Sequence, residues 1–313
     1  MTLATITSWF TNNQVLLENV MIFALLAFSI QVALRTGIFS LAGVGFYAIG
    51  SYTAGLLVKD GWPAVAAIAA ALALTGMIAY LLALLLVRLR DLYLAMATFA
   101  FDLMVGVVAL NWNGLTGGAL GLNLIPVSVS LLALILTTLA VAALLTLMET
   151  GTLGRTLATI REDEQLALSF AVDTRRYRRF AFVISGMLGC LAGAMHALIF
   201  NVVQAQDAGF SLIVLALTMV ILGGFGSWVG AALGAFLLTW IPLHLTAVGV
   251  WWPVYYGGAT VIVATFVPGG IVGLLRRGAK GAARLRPGRP GFPPGGGVGQ
   301  AAAHAPPAAG EIP

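Results

Sequence analysis

Between Val15 and Leu275 the chain alternates long apolar runs with short polar breaks. Nine runs stand out: Val15–Leu34, Phe39–Leu57, Ala64–Val87, Leu92–Leu110, Val127–Met148, Phe180–Phe200, Ser211–Leu222, Trp228–Leu245 and Val254–Leu275. A helix needs roughly 20 apolar residues to cross the hydrocarbon of a bilayer. The pattern therefore predicts an all-α, polytopic membrane protein of about nine transmembrane segments. The second run is Gly-rich, and the seventh is short and runs into a Gly-rich stretch. No basic stretch precedes the first run, which follows Trp9 and Phe10 and contains Glu18. It is read as an uncleaved first span.

Composition supports this class. Of 313 residues, 60% are hydrophobic and 9% charged. A soluble domain carries about 25% charged residues, so this chain could not clothe its surface for water. The single cysteine, Cys190, lies in an apolar run, and His196, His244 and His304 show no metal-ligand spacing.

The basic residues add orientation. Arg35 follows run one, Arg88 and Arg90 run three, and Arg155, Arg161, Arg175, Arg176, Arg178 and Arg179 run five. Arg276, Arg277, Lys280, Arg284, Arg286 and Arg289 follow run nine. Nine spans with the amino terminus outside and the carboxyl terminus cytoplasmic put fifteen of the 16 basic residues inside, leaving only Lys59 outside. Topology thus accounts for the basic balance, and no nucleic-acid partner is implied. Trp9, Trp62 and Trp252 then fall at outer ends, as interfacial anchors. Residues 1–280 form the membrane domain. Residues 281–313, rich in Pro, Gly and Ala, read as a disordered cytoplasmic tail whose basic start could touch anionic membrane lipid.

Two Gly-rich stretches begin at Ser40 ("SLAGVGFYAIGSYTAGLL") and Leu222 ("LGGFGSWVGAALGAFLL"). Gly226, Gly230 and Gly234 recur every four residues, and Gly189 and Gly193 repeat that spacing. Small faces let helix backbones approach closely in lipid. They serve either tight packing or the border of a solute path. Ser40, Gly43, Gly50, Tyr52, Gly226 and Gly230, with Asp102 inside the fourth run, are the candidates for such a path. No Walker-type loop is present: neither Lys59 nor Lys280 completes the pattern that cradles phosphates. No cofactor is expected, nor ATP hydrolysis by this chain alone.

The segment at about 149–179 holds six arginines and the carboxylates Glu149, Glu162, Asp163, Glu164 and Asp173. Such charge does not sit in hydrocarbon, where each ion costs at least ~2.5–3.5 kcal/mol. Residues 155–172 are helix-capable, with Leu157, Ile160, Ala167, Leu168 and Ala171 near one face. A short amphipathic helix is predicted. Its alternatives are a solvated loop that holds topology and a docking helix whose apolar face enters a partner's groove.

"GRTLATIREDEQLALSFAVDTRRYRRFAFVISGMLGCLAGAM", from Gly154, resembles the cytoplasmic loop and following span of the second permease subunit of branched-chain amino acid ABC importers, the LivM family. Gly154, Arg155, Ile160, Arg161, Glu162, Asp163, Glu164 and Ala167 match the pattern of that loop. "FSLAGVGFYAIGSYTAGLL", "VRLRDLYLAMATFAF", "NWNGLTGGALGLNLIP", "VILGGFGSWVGAALGAFLL" and "FVPGGIVGLL" resemble further family blocks, in order. Three positions depart from the family: Gly43 stands where His or Gln is frequent, Ala171 where Gly is usual, and Asp102 where the run "LAFGE" reads "FAFDL".

The resemblance implies a non-catalytic permease in the bacterial inner membrane. It would work with a second homologous permease, two ATPase subunits and a periplasmic solute-binding protein. The matched loop residues would form the coupling surface, with Arg155, Arg161, Glu162, Asp163 and Glu164 facing the ATPase. Solutes would be branched-chain amino acids, or related amino acids, amides or urea. The alternative is a stand-alone secondary transporter or channel, for which Asp102 would be the coupling carboxylate.

Overall fold

In a computed structural model of the chain, the described residues are 13–244 except Val87, Arg90, Ser128 and Phe225, together with 257–258. The ninth apolar run apart from 257–258, together with Trp9, Trp252 and the tail, falls outside them. The contacts divide the chain into residues 1–275 and 276–313, and the described helices lie in the first unit.

The helices are α1 (Gln14–Arg35), α2 (Gly43–Lys59), α3 (Ala64–Leu86), α4 (Asp91–Asn111), the single turn α5 (Asn113–Thr116), α6 (Leu131–Thr150), α7 (Thr152–Glu162), α8 (Glu164–Ser169), α9 (Thr174–Phe200), α10 (Phe210–Gly223) and α11 (Trp228–His244). Among the described residues five helices, α1, α3, α4, α6 and α9, are long and apolar enough to cross a membrane. With the shorter apolar helices, they make the chain a polytopic helical membrane protein. Helices α2, α10 and α11 have 17, 14 and 17 residues. At 1.5 Å per residue they are shorter than the ~30 Å hydrocarbon thickness.

Among the predicted boundaries that move, two have a local cause. The fifth run becomes helical only at Leu131, because Ser130 is extended and its side chain accepts from the Ala133 N–H. The sixth helix starts at Thr174 rather than Phe180: Asp173 accepts from the Arg176 N–H and so caps a helix whose first two turns hold four arginines. One departure from all-α structure is a two-residue antiparallel pair, β1 (Leu122–Asn123) with β2 (Val202–Val203), in register Leu122↔Val203.

Helices α1 and α9 form the buried centre, and α2 and α3 pack along α9. Helix α11 pairs with α10 and leans on α1. The outer helices turn bulky apolar side chains outward, among them Leu85, Leu92 and Leu139. Lipid covers such side chains at no cost, so hydrophobic burial does not hold the helices together and close packing must. Helix α3 buries Ala67, Ala71, Thr75, Ala79 and Ala83, one residue per turn. This small face is hidden in the sequence by the many other alanines and leucines of the same run.

Candidate functional site

The charged segment lies at the end of the bundle where α1 stops and α9 starts. It is not one helix. Asp163 takes extended angles (φ −151°, ψ 107°) and divides α7 from α8. Its carboxylate accepts from the Gln165 and Leu166 N–H groups at 2.9 and 3.1 Å, supplying partners that the first turn of α8 otherwise lacks. This corrects the expected single amphipathic helix.

The expected apolar face is also divided. Leu157, Ile160 and Ala167 are buried against the protein itself, whereas Leu168 and Ala171 are exposed. A partner's groove therefore cannot receive the first three in this arrangement. Gly154 is held where α6 ends: a Cβ there would run into Glu149 O and stand 2.8 Å from Met148 O. Outward lie Arg155, Arg161, Glu162 and Asp163, with Leu166, Leu168 and Phe170 beside them. Glu164 opens α8. Ala171, where the family pattern has Gly, adopts φ 58°, a left-handed conformation that glycine takes more readily.

Beneath α7 is an arrangement the sequence did not indicate. Glu149, near the end of α6, pairs with Arg35 at the end of α1. The same carboxylate oxygen accepts from Gln31 Nε2 at 3.5 Å and from the Trp228 N–H at 3.2 Å. Trp228 is the first residue of α11, so the carboxylate meets a helix N-terminus, where negative charge is favoured. One side chain thus joins α1, α6 and α11. Leu157 of α7 borders the small space, about 20 Å³, beside Gln31, Arg35 and Glu149. The turn after α1 also meets the charged segment: a Cβ on Gly37 would stand 3.6 Å from Arg161 Cα.

The residues expected to line a solute path behave differently. Gly43 and Gly50 lie in the seam between α2 and α9: a Cβ on Gly189 would sit 2.5 Å from Gly43 O, and one on Gly50 would stand 2.7 Å from Cys190 Cα. Gly230 contacts the end of α10, where its Cβ would stand 2.7 Å from Gly223 O. Gly224 at φ 100° turns the chain there. These three glycines stand in close contacts between helices, whereas Gly226, in the turn, is exposed with open space where a Cβ would stand. Tyr52 is buried in an apolar cluster that also holds Val58, Leu122 and Ile125.

Asp102, in α4, is 1% exposed and reaches the start of α2. Its Oδ1 accepts from the Gly45 N–H at 2.8 Å, while Thr98 Oγ1 accepts from the Leu41 N–H at 3.1 Å. Buried Ser40 completes the set, its Oγ accepting from the Ala42 N–H at 3.3 Å. Helix α4 and Ser40 thus satisfy donors at the beginning of α2, inside the bundle, where water does not. Asp102→Asn keeps an acceptor for Gly45 and is expected to leave thermal stability and uptake within about twofold of wild type. Asp102→Leu leaves that N–H unpaired and should cost ~1–3 kcal/mol. Detergent-solution melting and vesicle uptake check both; loss of uptake in a stable Asp102→Asn protein would assign the carboxylate a transport role instead.

Comparison with known proteins agrees with this architecture. Residues 15–272 match the family described as the permease component of branched-chain amino acid transport systems. Among curated relatives, the high-affinity branched-chain amino acid transport permease LivM of Escherichia coli K12 is 28% identical over 296 residues, 82% of this chain and 69% of that protein. Its Salmonella typhimurium counterpart is 27% identical over the same shares. The autoinducer 2 import permease LsrC of Yersinia pseudotuberculosis is 31% identical over 134 residues, 41% of this chain and 38% of its own length. No solved structure matches. With the family match running from α1 beyond α11, the chain belongs to the branched-chain amino acid transport permease family.

Proposed function

We propose that the chain is one permease of an ATP-binding-cassette importer in the bacterial inner membrane, carrying branched-chain or related small amino acids or amides. Its amino terminus is outside and its carboxyl terminus cytoplasmic. A second homologous permease completes the path, two ATPase subunits bind below, and a periplasmic binding protein delivers the solute. The observation that carries this reading is the construction of α7 and α8: their inner residues are fixed to the bundle, while Arg155, Arg161, Glu162 and Asp163 remain outward. A segment built this way transmits force. Its outward charges engage a motor subunit, and Leu157 and Gly154 pass displacement to α6.

The mechanism needs no catalytic group here. ATP-driven closure of the motor subunits moves α7 and α8, and the bundle follows between two packings that bind the solute differently. Glu149 is the junction through which α6 moves with α1 and α11. Because the relatives' names cover branched-chain amino acids and autoinducer 2, labelled leucine is the first solute to test. ATP-dependent leucine uptake by the reconstituted assembly supports the proposal; uptake by this chain alone, driven by an ion gradient, would replace it with a secondary transporter.

The charged tip gives a second test. Glu162→Gln with Asp163→Asn removes two charges yet leaves an acceptor to cap α8, so the fold should stay intact. Uptake is expected to fall roughly tenfold or more, with unchanged membrane insertion. Uptake at the wild-type rate would mean that these carboxylates do not engage the motor.

A further inference from the structure

A groove of about 810 Å³ opens between α3, α7 and the first turns of α9. Its lining joins Arg176 and Arg179 of α9 to Phe180 and Val183, each one turn further along the same helix, with Tyr80 of α3 and Thr156 of α7 alongside. We propose that this groove holds an anionic phospholipid of the cytoplasmic leaflet, its phosphate on Arg176 and Arg179 and an acyl chain along Tyr80, Phe180 and Val183. The assignment of leaflet rests on the proposed orientation of the importer.

Three observations favour lipid. First, the groove straddles the place where α9 changes from an Arg-rich to an apolar sequence, "TRRYRRFAFV", so its basic and apolar parts suit a phosphate and a hydrocarbon chain. Second, its apolar wall is uncovered: Tyr80 is 50% and Phe180 55% exposed. A free phosphate would leave these side chains bare, whereas a lipid covers both parts at once. Third, charge is complementary. Arg179 is braced by donation from its Nε to Arg175 O at 3.3 Å, which leaves its terminal nitrogens for an anion. Asp173, also in the lining, caps α9 through the Arg176 N–H at 3.1 Å, so two cations face one carboxylate. Basic pockets between membrane helices on the cytoplasmic side are suited to such headgroups.

The position gives the lipid a task. Thr156 lies on α7, and Val172, also in the lining, belongs to the turn after α8. A bound lipid would therefore join the motor-facing segment to the membrane-spanning part of α9 and keep the two moving together.

The full chain, in its purified assembly, would be examined by native mass spectrometry in mild detergent with added phosphatidylglycerol or phosphatidylcholine of the same acyl composition. Wild type should retain phosphatidylglycerol selectively. Arg176→Gln with Arg179→Gln should lower that retention roughly 10- to 30-fold, while Arg176→Lys with Arg179→Lys should keep most of it. Equal retention of both lipids by wild type, or undiminished retention in the glutamine variant, would overturn the proposal. Release by excess inorganic phosphate would make the groove a plain anion site. Loss of the ATPase subunits from the glutamine variant, with lipid retention intact, would make it a subunit contact. Should the glutamine variant not fold, the wild-type selectivity and phosphate competition still decide. Because no transport is measured, failure here is separate from failure of the importer reading.

Discussion

Replacing Gly193 with alanine is expected to break the seam between α2 and α9 and lower the thermal midpoint by roughly 4–10 °C. The new Cβ would run into the Tyr47 carbonyl oxygen and stand 2.7 Å from its carbon. These are backbone atoms of a neighbouring helix and cannot rotate aside. The same seam carries the Gly189–Gly43 and Gly50–Cys190 contacts, so the helices can relieve the overlap only by separating, which loosens all three. Overpacking of this kind costs about 1–3 kcal/mol or more, and in lipid no hydrophobic driving force offsets it. Gly106 provides the control. It lies in α4 with nothing within 4 Å of a built Cβ, so Gly106→Ala should leave the midpoint unchanged or raise it, because alanine is the better helix former. Melting followed by size-exclusion chromatography in detergent compares the two. Equal midpoints would mean that the seam tolerates a methyl group and is not tight.

Glu149→Ala is expected to reduce uptake at least about tenfold while the ATPase activity of the assembly ceases to respond to solute. The substitution removes the acceptor shared by Arg35, Gln31 and the Trp228 N–H, and with it the junction of α1, α6 and α11. Its cost in stability should be smaller than its cost in coupling. The Arg35 and Glu149 side chains are 20% and 18% exposed, so water weakens the pair below the full strength of a buried one. Glu149→Gln should lie between wild type and alanine, since it keeps an acceptor for Trp228 but loses the ion pair. The exchange Arg35→Glu with Glu149→Arg separates two explanations. It restores a salt bridge but sets a cation against the N-terminus of α11, which is unfavourable. Stability should recover only in part, because the Trp228 N–H loses its acceptor, and coupling should not recover. Uptake restored by the exchange would show that the pair matters only as an ion pair. Wild-type uptake in Glu149→Ala would remove the junction from the mechanism.

Both arrangements explain why some features are legible in the sequence and others are not. Apolar runs long enough to span show themselves, because hydrocarbon thickness imposes a length that each helix meets by itself. The charged block is equally visible. Within it, the break at Asp163 has a local signal, since Asp is a favoured capping residue, but the helix-forming residues on both sides point to one continuous element and outweigh it. The fate of Leu157 and Ile160 has no signal at all. An apolar face at helical spacing is the same whether it enters a partner or its own protein, and only the position of α6 and α1 beneath α7 decides between them.

The glycine stripes illustrate the same limit. Their spacing announces close approach, but close packing and a solute path require the same small residues. Asp102 is a candidate for ion coupling on sequence grounds because a carboxylate inside a span is costly. The structure supplies a partner for one of its oxygens, the Gly45 N–H 57 residues earlier in the chain, a contact that no local pattern announces.

By itself, then, the sequence determined the solvent, the helical class, the charged protrusion and the family, all of which follow from composition and local pattern. The tertiary structure decided which glycine faces meet, which carboxylate caps which helix, and that Arg35, Glu149 and Trp228 converge beneath the protrusion. The reason is physical. Burial in lipid is a property of each segment alone, whereas packing in lipid depends on backbone-to-backbone fit between segments far apart in the chain, and no local pattern records which two will meet.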